Sequence, residues 1–172
     1  DEEVGTPSTR ELIEAEAARN KYVLVPEPAR DDGGAVIGRY AIARFNLRTI
    51  GKPSHSGARL KEGRSAIAAM ARKIGEIEAM TDDDCTFSVG VINGGQWVNC
   101  VSSECTAQAL TMAKTQEDLD RGVAGMMALM KNDDSVEFEV TRGVTRPVWE
   151  PDQPGTMMLY EMAREIDKNL GF

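Results

Sequence analysis

Residues 38–50 read GRYAIARFNLRTI, a run in which apolar and polar side chains alternate. On an extended chain, Ala41, Ala43, Phe45 and Leu47 fall on one side and the residues between them on the other. This alternation predicts a half-buried strand, with one face on a core and the other open.

Three more stretches carry one apolar face each, around residues 87–91, 99–112 and 136–140. Between them, residues 61–80 and 117–130 repeat apolar side chains at helical spacing, which predicts amphipathic helices. The order is therefore β-α-β-β-α-β. Strands and helices with a single apolar face pair as two layers, so the sequence predicts an α+β, ferredoxin-like domain, a four-stranded antiparallel sheet with two helices on one face.

The sequence on either side of this region has another character. Ser8 and Glu11 have the spacing of a capping box, which predicts a helix that runs to about Asn20. Residues 22–25 form a short apolar run, typical of a strand buried on both faces of an α/β layer. A last helix, from about Thr156 to Asn169, is predicted to bury Met158, Leu159, Met162 and Ile166.

Composition excludes several classes of protein. The chain has 172 residues, 41% of them hydrophobic, and a formal net charge of -8. An acidic balance argues against nucleic acid, which needs clustered Lys and Arg. The sequence contains no run of about 18 apolar residues, so a membrane-spanning helix is not predicted either.

The sequence has three cysteines, Cys85, Cys100 and Cys105. An odd number without paired spacing predicts free thiols and a reducing, cytoplasmic location. A metal site would have to recruit His55, the only histidine, but no CxxC-type spacing supports one.

Carboxylates are the first candidates for chemistry. Glu2 and Glu3 precede the first helix, and Glu27 follows the apolar run at 22–25. Carboxylates gathered at the end of a buried strand repel one another, and a divalent cation relieves that repulsion. The alternative is that Glu2 and Glu3 are solvated charges that favour a helix N-terminus.

Two loops are the other candidates. His55 lies between a strand and a helix, either as a plain surface residue or as a hydrogen-bond donor to a developing oxyanion. Residues 94–99, GGQWVN, form a glycine turn that a simple hairpin would also explain. The turn lacks the Lys-Ser/Thr end of a phosphate loop, so nucleotide binding is not predicted.

Five segments together resemble the glutamate carboxypeptidase, aminoacylase and acetylornithine deacetylase family of dizinc metallopeptidases. The resemblance covers nearly the whole chain, and its segments occur in the family's order. They are DEEVG at 1–5, VLVPEP at 23–28, GKPSHSG at 51–57 with GRSAI at 63–67, the glycine pair at 94–95 with Asn99, and TRG at 141–143 with Arg146 and Pro147.

The resemblance implies an activity and a role for each candidate. The parent would hydrolyse a peptide or N-acyl amino acid amide bond with two zinc ions. Glu2 would be the general base, Glu3 a ligand of one zinc and Glu27 a ligand of the other. His55 would stabilise the oxyanion in the site of the partner subunit of a homodimer, and Asn99 would bind the substrate.

The resemblance also implies three segments: residues 1–37 as part of the catalytic domain, 38–147 as the dimerisation (lid) domain, and 148–172 as the return to the catalytic domain. The family's remaining histidine and aspartate ligands have no counterpart in this sequence. The chain alone is therefore expected to be inactive and to supply mainly homodimerisation. Met112 stands where carboxypeptidase-type members carry an arginine that grips a substrate carboxylate, which leaves the exact substrate open.

Two other functions fit parts of the sequence. The chain could be a non-catalytic dimerisation or interaction module, in a parent that has lost its metals. It could also be a small-molecule-binding regulatory domain, since ferredoxin-like sandwiches often serve in that way. The acidic residues at 1–3 and Glu27 have no purpose in the regulatory alternative.

Overall fold

The computed structural model describes residues 6–26, 34–131 and 135–170. The chain divides into two compact units, one made of Asp1–Gly38 with Glu150–Phe172 and the other of Arg39–Trp149. In chain order, the elements are α1 (Arg10–Ala17), β1 (Ala41–Ile50), a 3-10 turn (Leu60–Glu62), α2 (Ala66–Glu78), β2 (Cys85–Gly94), β3 (Glu104–Ala113), α3 (Gln116–Ala128), β4 (Glu137–Arg146) and α4 (Pro154–Leu170).

The unit Arg39–Trp149 has the predicted ferredoxin-like architecture. Its strands form one antiparallel sheet in the order β2-β3-β1-β4, so the first strand lies in the centre and β2 and β4 form the edges. The order β-α-β-β-α-β along the chain, with this order across the sheet, confirms the predicted fold class.

One face of the sheet carries the core. Alternate residues of β1, from Ala41 to Thr49, are buried, as the alternation predicted. Both helices of the unit cover this face, since Met70 and Ile77 of α2 join Leu119 and Met126 of α3 in a single cluster. Strand residues in the same cluster include Phe45, Leu47, Phe87, Ala107, Ala109, Phe138 and Val140.

The opposite face of the sheet is polar. Nε of Arg48 donates to Glu104 Oε1 at 2.7 Å, and its Nη1 lies 3.5 Å from Glu139 Oε2. The hydrogen bond from Arg48 to Glu104 and the attraction between the two charges raise the pKa of the guanidinium. Asn46 of β1 lies opposite Gln108 of β3, and the Gln108 amide donates to Asn46 Oδ1 at 3.3 Å.

Two elements of this unit begin later than predicted. The helix predicted from residue 61 begins at Ala66, because the Ser65 hydroxyl caps it by accepting a hydrogen bond from Ala68 N at 3.1 Å. The third strand, predicted from Asn99, begins at Glu104 because the intervening residues form a loop. Helix α3 is capped in the same way, since the Thr115 hydroxyl accepts a hydrogen bond from Asp118 N at 3.1 Å.

A β-bulge in β2 corrects another prediction. The register shifts between Val89 and Val91, so that Val89 opposes Ala109 while Val91 opposes Gln108. The extra residue moves Val91 off the core face, where the period-two pattern had placed it, and leaves it 44% exposed.

The unit made of Asp1–Gly38 and Glu150–Phe172 differs more from the predictions. Helix α1 begins after Thr9 rather than Ser8, because a turn before it already uses the N–H of Arg10, which donates to Thr6 O at 3.0 Å. Residues 22–25 are exposed coil and not a buried strand. A buried strand needs neighbours to satisfy its backbone, and the described residues of this unit include no other strand.

Helix α4 confirms the predicted element but not its burial. It spans Pro154–Leu170, close to the predicted helix. None of its described residues is buried, and Met158, Met162 and Ile166 are 43%, 48% and 58% exposed. The predicted apolar stripe is present, but the described part of this unit offers no core for it.

We expect Thr111→Val to stabilise the unit Arg39–Trp149. The Thr111 side chain is fully buried on the core face of β3, and its hydroxyl has no hydrogen-bond partner in the protein. Valine has nearly the same shape and leaves no buried polar atom unsatisfied, so the free energy of unfolding should rise by about 1 kcal/mol. Urea titration followed by circular dichroism measures the change, and a loss of stability would contradict it. Thr86→Val, at an exposed position facing away from the core, is the control and should change little.

Candidate functional site

Two loops at one end of the sheet carry the described candidate residues. One joins β1 to α2 and contains His55, and the other joins β2 to β3 and contains Asn99. Backbone hydrogen bonds tie the loops together: Val101 N donates to Ser54 O at 2.9 Å and Ser56 N donates to Asn99 O at 2.9 Å. His55 and Cys100 form an isolated antiparallel bridge. The structure therefore brings His55 and Asn99 into one fixed arrangement.

The His55 ring has a defined tautomer. Its Nδ1 accepts hydrogen bonds from the backbone N–H groups of Gly57 and Ala58, each at 3.2 Å. A nitrogen that accepts must be unprotonated, so the neutral ring carries its proton on Nε2. His55 is exposed, and no protein group in the described ranges bonds Nε2. The ring thus presents an oriented N–H donor outward.

Two glycines allow the His55 loop to close at its base. Lys52 and Arg64 exchange backbone hydrogen bonds of 2.9 Å and 2.8 Å, which bring the two ends of the loop together. A Cβ on Gly51 would overlap the Arg64 carbonyl oxygen and lie 2.9 Å from Ala66 N, and a Cβ on Gly63 would overlap the Ser54 hydroxyl. Close packing therefore explains why glycine stands at positions 51 and 63.

Asn99 lies in a tight turn. Cys100 N donates to Trp97 O at 3.1 Å, which closes a β-turn with Val98 and Asn99 at its central positions. Gly95, with φ of +79°, leads into the turn from β2. The tip is apolar, with Trp97 71% exposed and Val98 fully exposed. The sequence pattern marks these two residues only as part of a glycine turn, but their exposure beside Asn99 makes them part of the site surface.

The structure describes none of the predicted acidic site residues. Glu2, Glu3 and Glu27 lie outside the described residues. Within the described ranges, no group of three or more His, Cys, Asp or Glu could hold a metal ion. Met112 pairs with Ile42 near the far end of β3, so it lies the length of the sheet away from Asn99. The three cysteines are free thiols, with Cys100 exposed in the Asn99 loop.

The loops lie far from the point where the chain joins this unit. Arg39 and Trp149, where the chain enters and leaves, exchange backbone hydrogen bonds of 2.8 Å and 2.9 Å at the other end of the sheet. Strand β1 has 10 residues between these two ends. At about 3.3 Å a residue, His55 lies roughly 30 Å from the chain crossing.

A shallow depression on the polar face of the sheet is separate from these loops. It has a volume of about 370 Å³, and its lining includes Asn46, Arg48, Thr106, Gln108 and Glu139. Neither His55 nor Asn99 lines it. Four of its polar side chains are already paired across the strands, Arg48 with Glu139 and Gln108 with Asn46, so it adds nothing to the candidate site.

The family model described as a peptidase dimerisation domain matches residues 37–136. The chain therefore belongs to the M20 peptidase family, as the sequence motifs predicted.

Named relatives agree with this assignment. Carboxypeptidase G2 of a Pseudomonas species is 28% identical over 168 residues, covering 92% of this chain and 40% of the relative. Acetylornithine deacetylase of Myxococcus xanthus is 34% identical over 118 residues, covering 61% of this chain and 30% of the relative. The chain thus spans less than half the length of these curated relatives, both of which are hydrolases by name.

Solved structures show the same fold. Aminopeptidase PepT from Bacillus cereus superposes with a TM-score of 0.65 at 22% identity, over 79% of this chain and 37% of that one. A tripeptidase from Staphylococcus aureus gives a TM-score of 0.65 at 25% identity, over 80% of this chain and 37% of that one.

Among the described residues, no helix has both the length and the apolar character needed to cross a membrane.

Proposed function

We propose that the full-length protein is a zinc-dependent metallopeptidase or amidohydrolase that hydrolyses a peptide or N-acyl amino acid amide bond. In this proposal, residues 38–147 are its lid and dimerisation domain, and residues 1–37 and 148–172 belong to its catalytic domain. The observation that carries the proposal is the exposed His55, whose Nε2–H points outward beside Asn99 in a domain of the M20 family.

His55 is proposed to stabilise the oxyanion. A neutral imidazole that presents N–H can donate to an oxygen as negative charge develops on it. The hydrogen bonds from Gly57 and Ala58 fix the tautomer before any substrate binds, so no proton has to be rearranged. Asn99, held against the same loop through Ser56, is proposed to bind the substrate amide or carbonyl group.

The remaining roles rest on the family resemblance. Glu2 is proposed as the general base, Glu3 as a ligand of one zinc and Glu27 as a ligand of the other. Two bound zinc ions would supply Lewis acidity and an activated water. These carboxylates lie outside the described residues, so the proposal for them rests on their sequence motifs and on membership of the M20 family.

We also propose that the protein is a homodimer through the lid and that His55 serves the partner's site. The family's description as a dimerisation domain supports the pairing. The separation of roughly 30 Å between His55 and the chain crossing within the lid supports a role for the histidine in the partner's site.

Exposed apolar side chains support the placement of the outer segments in a larger catalytic domain. Leu12 of α1 is 71% exposed, and Met162 and Ile166 of α4 are 48% and 58% exposed. Apolar stripes on helices normally cover a core. We propose that further catalytic-domain chain covers them in the full-length protein. We also propose a cytoplasmic location, which the three free thiols support.

A hydrolysis screen of the full-length protein tests the proposal. Dipeptides, folate-like glutamates and N-acyl amino acids are offered to protein loaded with zinc and to protein stripped by a chelator. We expect turnover only in the loaded protein, and its return when zinc is restored. Because Met112 is apolar, we expect no strong preference for substrates that carry a C-terminal carboxylate. A folded, dimeric, zinc-loaded protein that cleaves none of these classes would favour the non-catalytic dimerisation module.

A further inference from the structure

The tip of the Asn99 loop exposes a tryptophan to an unusual degree. Trp97 is 71% exposed, although tryptophan is a highly buried residue on average, and Trp149 is 40% exposed. Val98, next to it, is fully exposed. Residues 85–103 include no charged side chain, while 28% of the whole chain is charged. The tip is therefore an apolar patch in a charged protein, and an exposed apolar patch rimmed by polar residues is typical of a binding site.

The tip lies close to the oxyanion donor proposed above. His55 and Cys100 bridge the two loops as a non-hydrogen-bonded pair, because the bonds come from their neighbours on either side. In such a pair the Cα atoms lie about 4.5 Å apart. The β-turn brings the Cα atom of Trp97 within about 7 Å of that of Cys100. Trp97 and His55 are therefore separated by at most roughly 11 Å, about the length of three extended residues. A substrate whose oxygen meets His55 can place a neighbouring side chain on the indole.

Backbone hydrogen bonds fasten the loop that carries this tip. Gly51 N donates to Ser103 O and Ala66 N donates to Ser102 O, each at 2.9 Å. The Ser102 hydroxyl donates to Glu104 O at 2.8 Å. The end of β1 and the start of α2 thus hold the same loop that pairs with the His55 loop. A surface that is arranged before a ligand arrives loses less conformational entropy when the ligand packs on it.

This end of the lid combines the groups that a small-molecule site needs. Trp97 and Val98 offer apolar surface, while the His55 N–H and the Asn99 amide offer hydrogen bonds. Ligand sites are typically lined by apolar and aromatic side chains with a few placed polar groups. A tryptophan adds a large face with only two side-chain torsions to fix. A charged substrate group would find no opposite charge among residues 85–103, whereas an aromatic ring would stack on the indole.

We propose that Trp97 is a specificity-determining residue, which selects substrates with an apolar, and preferentially aromatic, group next to the scissile amide. The indole packs against that group in the site to which His55 donates, while Asn99 binds polar atoms of the substrate. The inference rests on the proposed hydrolytic function and on His55 as its oxyanion donor. It narrows the substrates from peptides and N-acyl amino acids in general to those that carry an aromatic ring beside the bond that is cleaved.

Matched substrates test the role of Trp97 in the full-length, zinc-loaded protein. For dipeptides, phenylalanyl-alanine and alanyl-phenylalanine are compared with alanyl-alanine. For N-acyl amino acids, N-acetyl-phenylalanine and N-phenylacetyl-alanine are compared with N-acetyl-alanine. Each set places the ring on one side or the other of the scissile bond. We expect kcat/KM to be on the order of tenfold to 100-fold higher for one of the two aromatic substrates than for the small one. Trp97→Ala should reduce this ratio to near one.

Two further variants separate the ring from the fold. Trp97→Phe keeps a ring and should retain most of the preference. Tyr40→Ala removes an exposed ring before the start of β1, at the other end of the sheet, and should retain all of it. Thermal unfolding shows whether each variant is folded.

Three results would overturn the role of Trp97 while the hydrolytic function stands. They are equal efficiency on the aromatic and small substrates, a preference that survives Trp97→Ala, and a loss on Trp97→Ala that is the same for every substrate. A folded, dimeric, zinc-loaded protein that cleaves none of the substrates overturns the proposed function and this inference with it.

Discussion

In the full-length protein, His55→Ala is expected to lower turnover by about 100-fold to 1,000-fold, the usual effect of removing one oxyanion donor. The lid should stay folded. The substitution removes only the acceptor for the N–H groups of Gly57 and Ala58, which lie in an exposed loop and can bond to water. Steady-state kinetics gives the first effect and thermal unfolding the second. Lys61→Ala, which removes an exposed cation from the same loop, should leave turnover unchanged.

Mixing variants shows which subunit the histidine serves. His55→Ala combined with Glu2→Ala in equal amounts should recover about a quarter of the unmodified activity. Half of the dimers are then mixed, and one site in each mixed dimer has both an intact base and an intact partner histidine. Heterodimers must first be demonstrated, for example by mass spectrometry of the assembled protein. Heterodimers that remain inactive would exclude a site shared between subunits.

Gly51→Ala is expected to destabilise the lid by about 3 kcal/mol. An added Cβ meets the Arg64 carbonyl oxygen and the Ala66 nitrogen, which are backbone atoms that cannot turn aside. Relief would require breaking the exchange of hydrogen bonds between Lys52 and Arg64 that closes the His55 loop. Urea unfolding measures the loss.

Gly75→Ala is the matched control for this substitution. Gly75 lies on α2, and a Cβ there meets no atom within 4 Å. Alanine favours the helix, so stability should rise by about 0.5–1 kcal/mol. Equal effects of the two substitutions would show that the Gly51 contact is not a real constraint.

The lid could be predicted from sequence because its strands each bury one face. The alternation from Ala41 to Leu47 predicted β1, and apolar side chains at helical spacing over residues 117–130 predicted α3. The bulge beside Val91 had no comparable signal, because it depends on how β2 lies against β3. Asn99 was placed in a strand for a related reason. The hydrogen bond that closes its turn, from Cys100 to Trp97, leaves no trace in apolar periodicity.

The site was predictable only in part. The motif around His55 identified the residue, but its tautomer depends on two backbone donors that no pattern reveals. Cys100 and Asn99 lie beside it through pairing between distant loops. Residues 22–25 illustrate the opposite error. Their apolar run has the composition of a strand, but a strand also needs neighbours, which the described part of that unit does not contain.

The central position of β1 has a consequence for biosynthesis. Its partners are β3, with Ala41 opposite Ala113, and β4, which begins at Glu137. Within this unit, a nascent chain therefore emerges with its central strand first, and more than half of the domain must follow before β1 can pair along its full length with either neighbour. Such non-local pairing slows folding and leaves the strand open to aggregation in the meantime. The His55 loop acquires its orientation only after residues 99–103 arrive, so the proposed donor is assembled late in synthesis.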